Sequence, residues 1–315
     1  MTTASHPAPA EEAVARPKAR AAQDKSRFSG PLFWGFISPA LILTLLFTMY
    51  PLAVSVQLIF QRWAGFGTPR PIGTKNITDL FSDPQAFDAL VRTFWLTLGA
   101  AGGTVLIGTA LALAFYRKVP LTNTLKFLAF LPVILPPTVF ALAWKNALDP
   151  TLGWINPILR GINPDLAINW LSDPKAALPV VIFVSTIQYV GIPMILMLSA
   201  LNDIPESVNE AATLDGVSGL QRIWHVTLPL SRDVLVVVIG LQIIGNFKAL
   251  DTAYALTKGG PGLASDIMAT FIYREGFELS NFGYASTAAF FGTLIIVIIS
   301  LAYTFVFRPS KMSQQ

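Results

Sequence analysis

The chain has 315 residues, 53% apolar and only 13% charged, with a mean hydropathy of +0.57. A soluble domain carries about 25% charged residues, so the composition excludes an ordinary soluble fold and points to lipid as the solvent. The absence of cysteine and the presence of only two histidines, His6 and His225, exclude a disulfide scaffold, a thiolate or multi-histidine metal centre and a cysteine nucleophile, and the net charge of +4 is scattered rather than gathered into a patch suited to nucleic acid.

Residues 1–30 are rich in Ala, Pro, Lys and Arg and carry few large apolar side chains. They cannot bury enough surface to offset the entropy of ordering, which predicts a disordered tail. The run 32–57 is too long for a signal-peptide core and lacks a small-residue cleavage site, so it reads as a spanning helix. At 1.5 Å per residue it reaches roughly 39 Å, more than the ~30 Å hydrocarbon core, so tilt or projecting ends are expected. Five further apolar blocks follow at 93–116, 125–148, 178–200, 234–256 and 284–307. Backbone amides in hydrocarbon must pair within their own segment, and blocks of this length suit helices, so the expected fold is an all-α bundle of six transmembrane helices. Pro132, Pro136 and Pro137 predict a kink or a late start in the third block.

Lys and Arg in the connections set the orientation. Twelve of the 22 fall in the tail and in the connections after spans two, four and six, against nine in the alternate set, leaving Lys248 inside a span. The basic tail and the short turn from Arg117 and Lys118 to Lys126 carry most weight. Both termini are predicted cytoplasmic. A spanning domain at 31–308 is then flanked by tails at 1–30 and 309–315, and the connection 201–232 becomes the longest inner loop.

That loop predicts a short helix opened by Ile204 and Pro205 and favoured at its start by Glu206 and Glu210, a hinge at Gly216, then a second segment over 218–225 stopped by Pro229. Leu220, Ile223 and Trp224 gather on one face of the second segment, which could seat in a partner's groove or lie on lipid headgroups.

Glu210, Ala211, Ala212, Asp215, Gly216, Val226, Leu228 and Pro229 together resemble the E-A-A loop of binding-protein-dependent ABC importer permeases; Val226 stands where that pattern usually has Ile. The likeness continues in the Tyr50-Pro51 pair, Leu131-Pro132 with Trp144, Trp170-Leu171, Gly259-Gly260-Pro261 and Gly283-Tyr284-Ala285, and is to the carbohydrate-type permeases of maltose, glycerol-phosphate and oligosaccharide importers. Ile187 replaces a Trp common in those relatives.

The resemblance implies a type I importer permease fold and places the loop's helices in a cleft of a cytoplasmic ATPase. Small Ala211 and Ala212 would permit close approach, Gly216 the turn and Glu210 a polar docking contact; Asp215, Trp224, Leu228 and Pro229 complete the coupling set. It further implies a bacterial or archaeal inner membrane, two ATPase subunits, which bind ATP and Mg, a second homologous permease and an extracytoplasmic solute-binding protein. No Gly-Lys pair, and hence no phosphate-binding loop, occurs in the chain.

Lys248 and Asp251, three positions apart inside the expected fifth span, call for either an ion pair on one helix face or a water-filled path bordered by Asn246, Lys248, Asp251 and Tyr254 with Gln188. For Gln188 an interhelical hydrogen bond is an equal alternative. Gly99, Gly102, Gly103 and Gly108 read as close helix packing, and Trp63, Trp144, Trp154 and Trp170 as interfacial anchors. No catalytic residue, cofactor or metal ligand is expected in the chain. The competing functions are an ion-gradient-driven secondary transporter, a membrane-embedded enzyme and an importer permease for a non-sugar solute such as a polyamine.

Overall fold

A computed structural model describes residues 31–116, 122–217 and 219–307. The expected tails, the basic pair Arg117 and Lys118, and Arg308 and Lys311 lie outside the described residues. The chain divides into two compact units at Val54 and Ser55. Helices α1 (Pro31–Thr44) and α2 (Tyr50–Leu58) are joined through a π-helical turn, Leu45–Met49. Pro51 has no N–H to offer one turn back, and the backbone instead closes a wider ring from Tyr50 N to the Leu45 carbonyl. The run Phe33–Leu58 is long and apolar enough to cross a bilayer, and large side chains such as Phe36 and Phe47 are left exposed along it.

After a two-stranded hairpin, β1 (Gln61–Arg62) against β2 (Arg70–Pro71), come α3 (Lys75–Ser82) and α4 (Pro84–Tyr116). The hairpin and α3 escape a sequence reading tuned to hydropathy. Helix α4 begins nine positions before the expected 93, because Asp88 and Arg92 lower the local hydropathy yet pair with each other at 3.1 Å on the outside while Ala86 and Ala89 are buried. The chain continues through α5 (Thr122–Ile134), α6 (Pro137–Ala147), α7 (Ile155–Ile162), α8 (Ala177–Tyr189), α9 (Gly191–Asn202), α10 (Glu206–Leu214), α11 (Gly219–Arg222), α12 (Leu228–Leu230), α13 (Arg232–Phe247), α14 (Leu250–Thr257), α15 (Met268–Tyr273) and α16 (Phe282–Val306). Phe33–Leu58, α4 and α16 each suffice to cross a membrane, and three bent helix pairs bring the number to six if each pair is one span.

The bends have identifiable causes. The third span folds by 102° between α5 and α6, where Pro136 is extended at ψ 134° and Pro137 opens the next helix; Pro132 stays inside α5. The fourth bends by 42° at Val190, since Pro193 in the first turn of α9 leaves the Tyr189 carbonyl without its donor. The expected fifth span 234–256 is corrected: α13 ends at Phe247, Lys248 and Ala249 bond back three positions to Gly245 and Asn246, and α14 starts afresh at Leu250.

Helix α4 is the spine of the second unit. Its Leu96 and Ala100 share a core with Phe140 and Ala141 of α6, Val181 and Val184 of α8, and Ala253 and Leu256 of α14. Ala112 and Phe115 pack with Met194, Met197 and Leu201 of α9. Close approach depends on glycine where α4 crosses α8 and α9: Gly99, Gly103 and Gly108 face Ile182, Thr186 and Pro193, whereas Gly102 faces open space and takes no part, correcting its place in the expected packing stripe. Among the expected anchors, Trp154 is exposed, whereas Trp170 is a loop brace, its Nε1 donating to Asn156 Oδ1 at 2.8 Å.

A buried charge cluster ties the loop after α14 to α15. Asp266 is 2% exposed; its Oδ1 accepts from Thr270 Oγ1 at 2.6 Å and its Oδ2 from Arg274 Nη2 at 3.2 Å. Burial pushes the Asp266 carboxyl above its ordinary range, against the pull of Thr270 and Arg274. Arg274→Met is therefore expected to cost about 3–5 kcal/mol by leaving a buried charge unpaired. A carboxyl whose folded pKa is raised stabilises the fold least where it must ionise, so the variant's stability should fall as pH rises from the ordinary carboxylate range, more steeply than the parent's. Arg274 Nη1 also lies 3.5 Å from Oε1 of the buried Glu275, so Asp266→Asn in the same chain should restore only the Asp266 share of the loss and reduce the pH dependence; thermal unfolding in detergent across that range checks both.

Candidate functional site

The connection between α9 and α13 folds as a pair of short helices with outward-facing and inward-facing sides. Pro205 precedes α10, and Glu206 in the first turn complements the partial positive charge of the helix N-terminus. The helix ends in a Schellman closure: Val217 N donates to the Ala212 carbonyl at 3.0 Å and Gly216 N to the Thr213 carbonyl at 3.1 Å. That closure requires the residue after the C-cap Asp215 to be left-handed, and Gly216 has φ +73°. The expected hinge is thus a geometric necessity of this loop.

The second segment is α11, a π-helical turn over Ile223–Thr227, and α12. Pro229 was expected to stop it. Instead Leu228 N bonds the Ile223 carbonyl in a wide turn that accommodates the missing proline donor, and the chain runs on to Leu230. The break comes at Ser231, 2% exposed, whose Oγ donates to the Thr227 carbonyl at 2.6 Å; α13 leaves there at 76°.

Glu210, Ala211, Asp215, Gly216, Trp224 and Pro229 are exposed, Leu228 is half-buried against the α9 core, and Ala212 is buried. The two alanines therefore part ways: Ala212 packs inward and Ala211 faces out. Leu214 at 89%, Leu220 at 73% and Trp224 at 66% exposure add apolar surface to the same helix pair. Ile223, expected beside Leu220 and Trp224, is half-buried. Among the described residues His225 bonds the Gln221 carbonyl, four positions back, at 3.0 Å.

Behind this surface a cavity of about 770 Å³ lies between the helix pair and the ends of α4 and α9, with Tyr116, Asn202, Asn209, Thr213 and Arg222 among its walls. Asn209 and Arg222 escaped the sequence reading of the site. Only their inward orientation marks them, and α10's own periodicity puts Asn209 and Ala212 on one face, three positions apart.

The second set of candidates does not assemble as one cluster. Gln188 is fully buried, its Oε1 accepting from Thr252 Oγ1 of α14 at 3.2 Å while its Nε2 has no hydrogen-bond partner among the described residues. Asn246 is also buried, with Nδ2 donating to the Gln242 carbonyl of its own helix at 2.9 Å. Lys248 and Asp251 stand exposed on either side of the break between α13 and α14; they form no ion pair, correcting the expected pairing on one helix face. Tyr254 is half-buried, its Oη donating to Glu278 Oε1 at 3.1 Å with the Lys258 ammonium 5.8 Å from its ring centre. Among the described residues no group of three or more His, Asp or Glu side chains could hold a metal ion.

The profile of the family described as binding-protein-dependent transport system inner membrane component matches residues 104–309. The probable ABC transporter permease protein YurN of Bacillus subtilis is 34% identical over 283 residues, covering 88% of this chain and 96% of that protein. The multiple sugar-binding transport system permease protein MsmF of Streptococcus mutans is 29% identical over 269 residues, 85% of this chain and 92% of its own. Among solved structures, a chain of a bacterial alginate ABC transporter in complex with an alginate pentasaccharide-bound periplasmic protein superposes with a TM-score of 0.78 at 22% identity, over 88% of this chain and 94% of that one. The superposition shows a shared fold.

Proposed function

This chain belongs to the family of binding-protein-dependent transport system inner membrane components, and we propose that it forms one permease half of an ATP-driven sugar importer. Its partners in this reading are a second, homologous permease, two ATPase subunits holding ATP and Mg, and an extracytoplasmic solute-binding protein. The observation that carries the proposal is the outward-facing side of the α10–α12 pair, with Glu210, Ala211, Asp215 and Trp224 exposed and Leu214 and Leu220 beside them, turned through Gly216. A small, rigid, partly apolar protrusion of this kind suits a groove in a partner better than solvent.

Both termini and the α10–α12 pair are cytoplasmic in this reading, on the basic-residue bias of the sequence. ATP binding and the loaded binding protein together favour an outward-open state, and hydrolysis returns the permease to the inward-open one; each acts only through its different affinity for the two states. Lys248, Asp251 and Tyr254 are proposed to face the solute path, and Gln188 and Asn246, buried within this chain, to brace it from behind. Sugar as the solute class is supported by the naming of relatives such as MsmF, and a non-sugar solute such as a polyamine is the alternative.

Reconstitution tests the energy source. Proteoliposomes holding both permeases and the solute-binding protein are expected to take up the solute which that protein retains on purification only when the ATPase subunits and ATP are added. Uptake driven by an ion gradient without the ATPases would reject the proposal in favour of a secondary transporter.

A further inference from the structure

Asn209 precedes Glu210 in the chain yet points the other way. It is 8% exposed and its amide is used at both ends: Nδ2 donates to Tyr116 Oη at 2.9 Å, and Oδ1 accepts from Arg222 Nη2, which also donates to the Asn209 carbonyl at 3.2 Å. Three elements meet there. Tyr116 is the last residue of α4, Asn209 sits on α10 and Arg222 ends α11. The cavity of about 770 Å³ lies around this junction, and among the described residues no other side-chain hydrogen bond ties the helix pair to α4.

We infer that Tyr116, Asn209 and Arg222 form a positioning link that fixes the docking helix pair to the spine of the bundle, so that a displacement imposed by the ATPase is carried into α4. The inference rests on the docking reading of the loop. Its physical basis is the stiffness of the parts joined. Arg222 clamps both the side chain and the backbone of Asn209, which makes α10 and α11 one body, and Tyr116 couples that body to a 33-residue helix packed against α8, α9 and α13. Without the link, the pair keeps the non-directional packing of Leu228 on the core that Ala112 and Phe115 share with α9, but has no side-chain hydrogen bond to α4 among the described residues and open cavity beside it.

Donor and acceptor chemistry separates the link from mere packing. A guanidinium only donates, whereas a tyrosine hydroxyl does either. Asn209→Asp therefore keeps both side-chain contacts, with Tyr116 Oη turning donor, while Asn209→Leu, of similar size, loses both and retains Arg222's bond to the backbone carbonyl, and Tyr116→Phe loses one.

The complete transporter in proteoliposomes is assayed for ATP hydrolysis with and without its solute-binding protein. A Leu214→Cys background, free of any other cysteine in this chain, reports docking through a cysteine-to-amine cross-link to the ATPase. Asn209→Leu and Tyr116→Phe are expected to reduce stimulation by the binding protein about tenfold, in the range of ordinary coupling factors, with the cross-link retained. Asn209→Asp should keep the stimulation, and Tyr116→Phe should add nothing to Asn209→Leu. Undiminished stimulation in Asn209→Leu, or equal loss in Asn209→Asp, overturns the link while leaving docking intact. A cross-link missing from every sample, the Leu214→Cys parent included, overturns the docking reading and the link with it.

Discussion

A Gly216→Val permease is expected to insert and accumulate like the parent but to lose about nine-tenths of its ATP-driven uptake, within the usual range of inter-site coupling. The backbone at 216 sits at φ +73°, where an L side chain crowds the following carbonyl at roughly 1–2 kcal/mol and a β-branched one suffers most. The alternative to enduring that strain is to unwind the turn, which forfeits the bonds from Val217 N to Ala212 and from Gly216 N to Thr213. Either way the angle between α10 and α11 changes, and with it the placement of the exposed Glu210 relative to the exposed Trp224. Among the described residues nothing beyond its chain neighbours lies within 4 Å of a Cβ built at this position, so the expected effect comes from the backbone. Gly216→Asn supplies the control, because asparagine adopts the left-handed conformation readily; it should retain most uptake. The measurement is uptake of the solute that the binding protein retains, beside the amount of folded protein. Parent-like uptake in the valine variant, or equal loss in both variants, would reject the geometric account.

Gly108→Ala is expected to lower the stability of the permease by about 1–3 kcal/mol, the usual cost of overpacking, while Gly102→Ala should leave it unchanged or raise it slightly. The two glycines lie six positions apart on α4. A Cβ at 108 would come within 2.7 Å of Pro193 Cβ, 2.8 Å of the Val190 carbonyl and 3.0 Å of Met194 N, so backbone and a proline ring would have to move. A Cβ at 102 meets nothing within 4 Å. Alanine also has the better helix propensity, so only the contact can reverse the sign at 108. Thermal unfolding of the detergent-purified variants decides the matter, and indistinguishable midpoints would show that α4 and α9 are not held at this crossing.

The spans were legible because lipid imposes a local rule: some twenty apolar residues in a row, whatever the neighbours do. The rule fails where charge is satisfied in place. Asp88 and Arg92 neutralise each other on α4, and hydropathy reads the helix as starting nine positions late. It fails again at Lys248, where an apolar run conceals a helix break closed by backbone bonds to Gly245 and Asn246. Proline gave a direction change without its place: of Pro132, Pro136 and Pro137, only the adjacent pair breaks the helix. In the connection between α9 and α13 the outward-facing residues could be named from their pattern, yet the same pattern took Ala211 and Ala212 together although one is exposed and the other buried.

The chain by itself determined its solvent, its helical class, the left-handed turn at Gly216 and the lack of a phosphate-binding loop of its own, since each depends on composition or on residues within a few positions of one another. The tertiary structure alone decided which glycines of α4 meet a neighbour, which face of α10 turns inward, and that Asn209 reaches Tyr116 across 93 positions. Those features depend on which helix faces which, a choice made by packing between segments distant in sequence, and no local pattern of hydropathy or spacing encodes it.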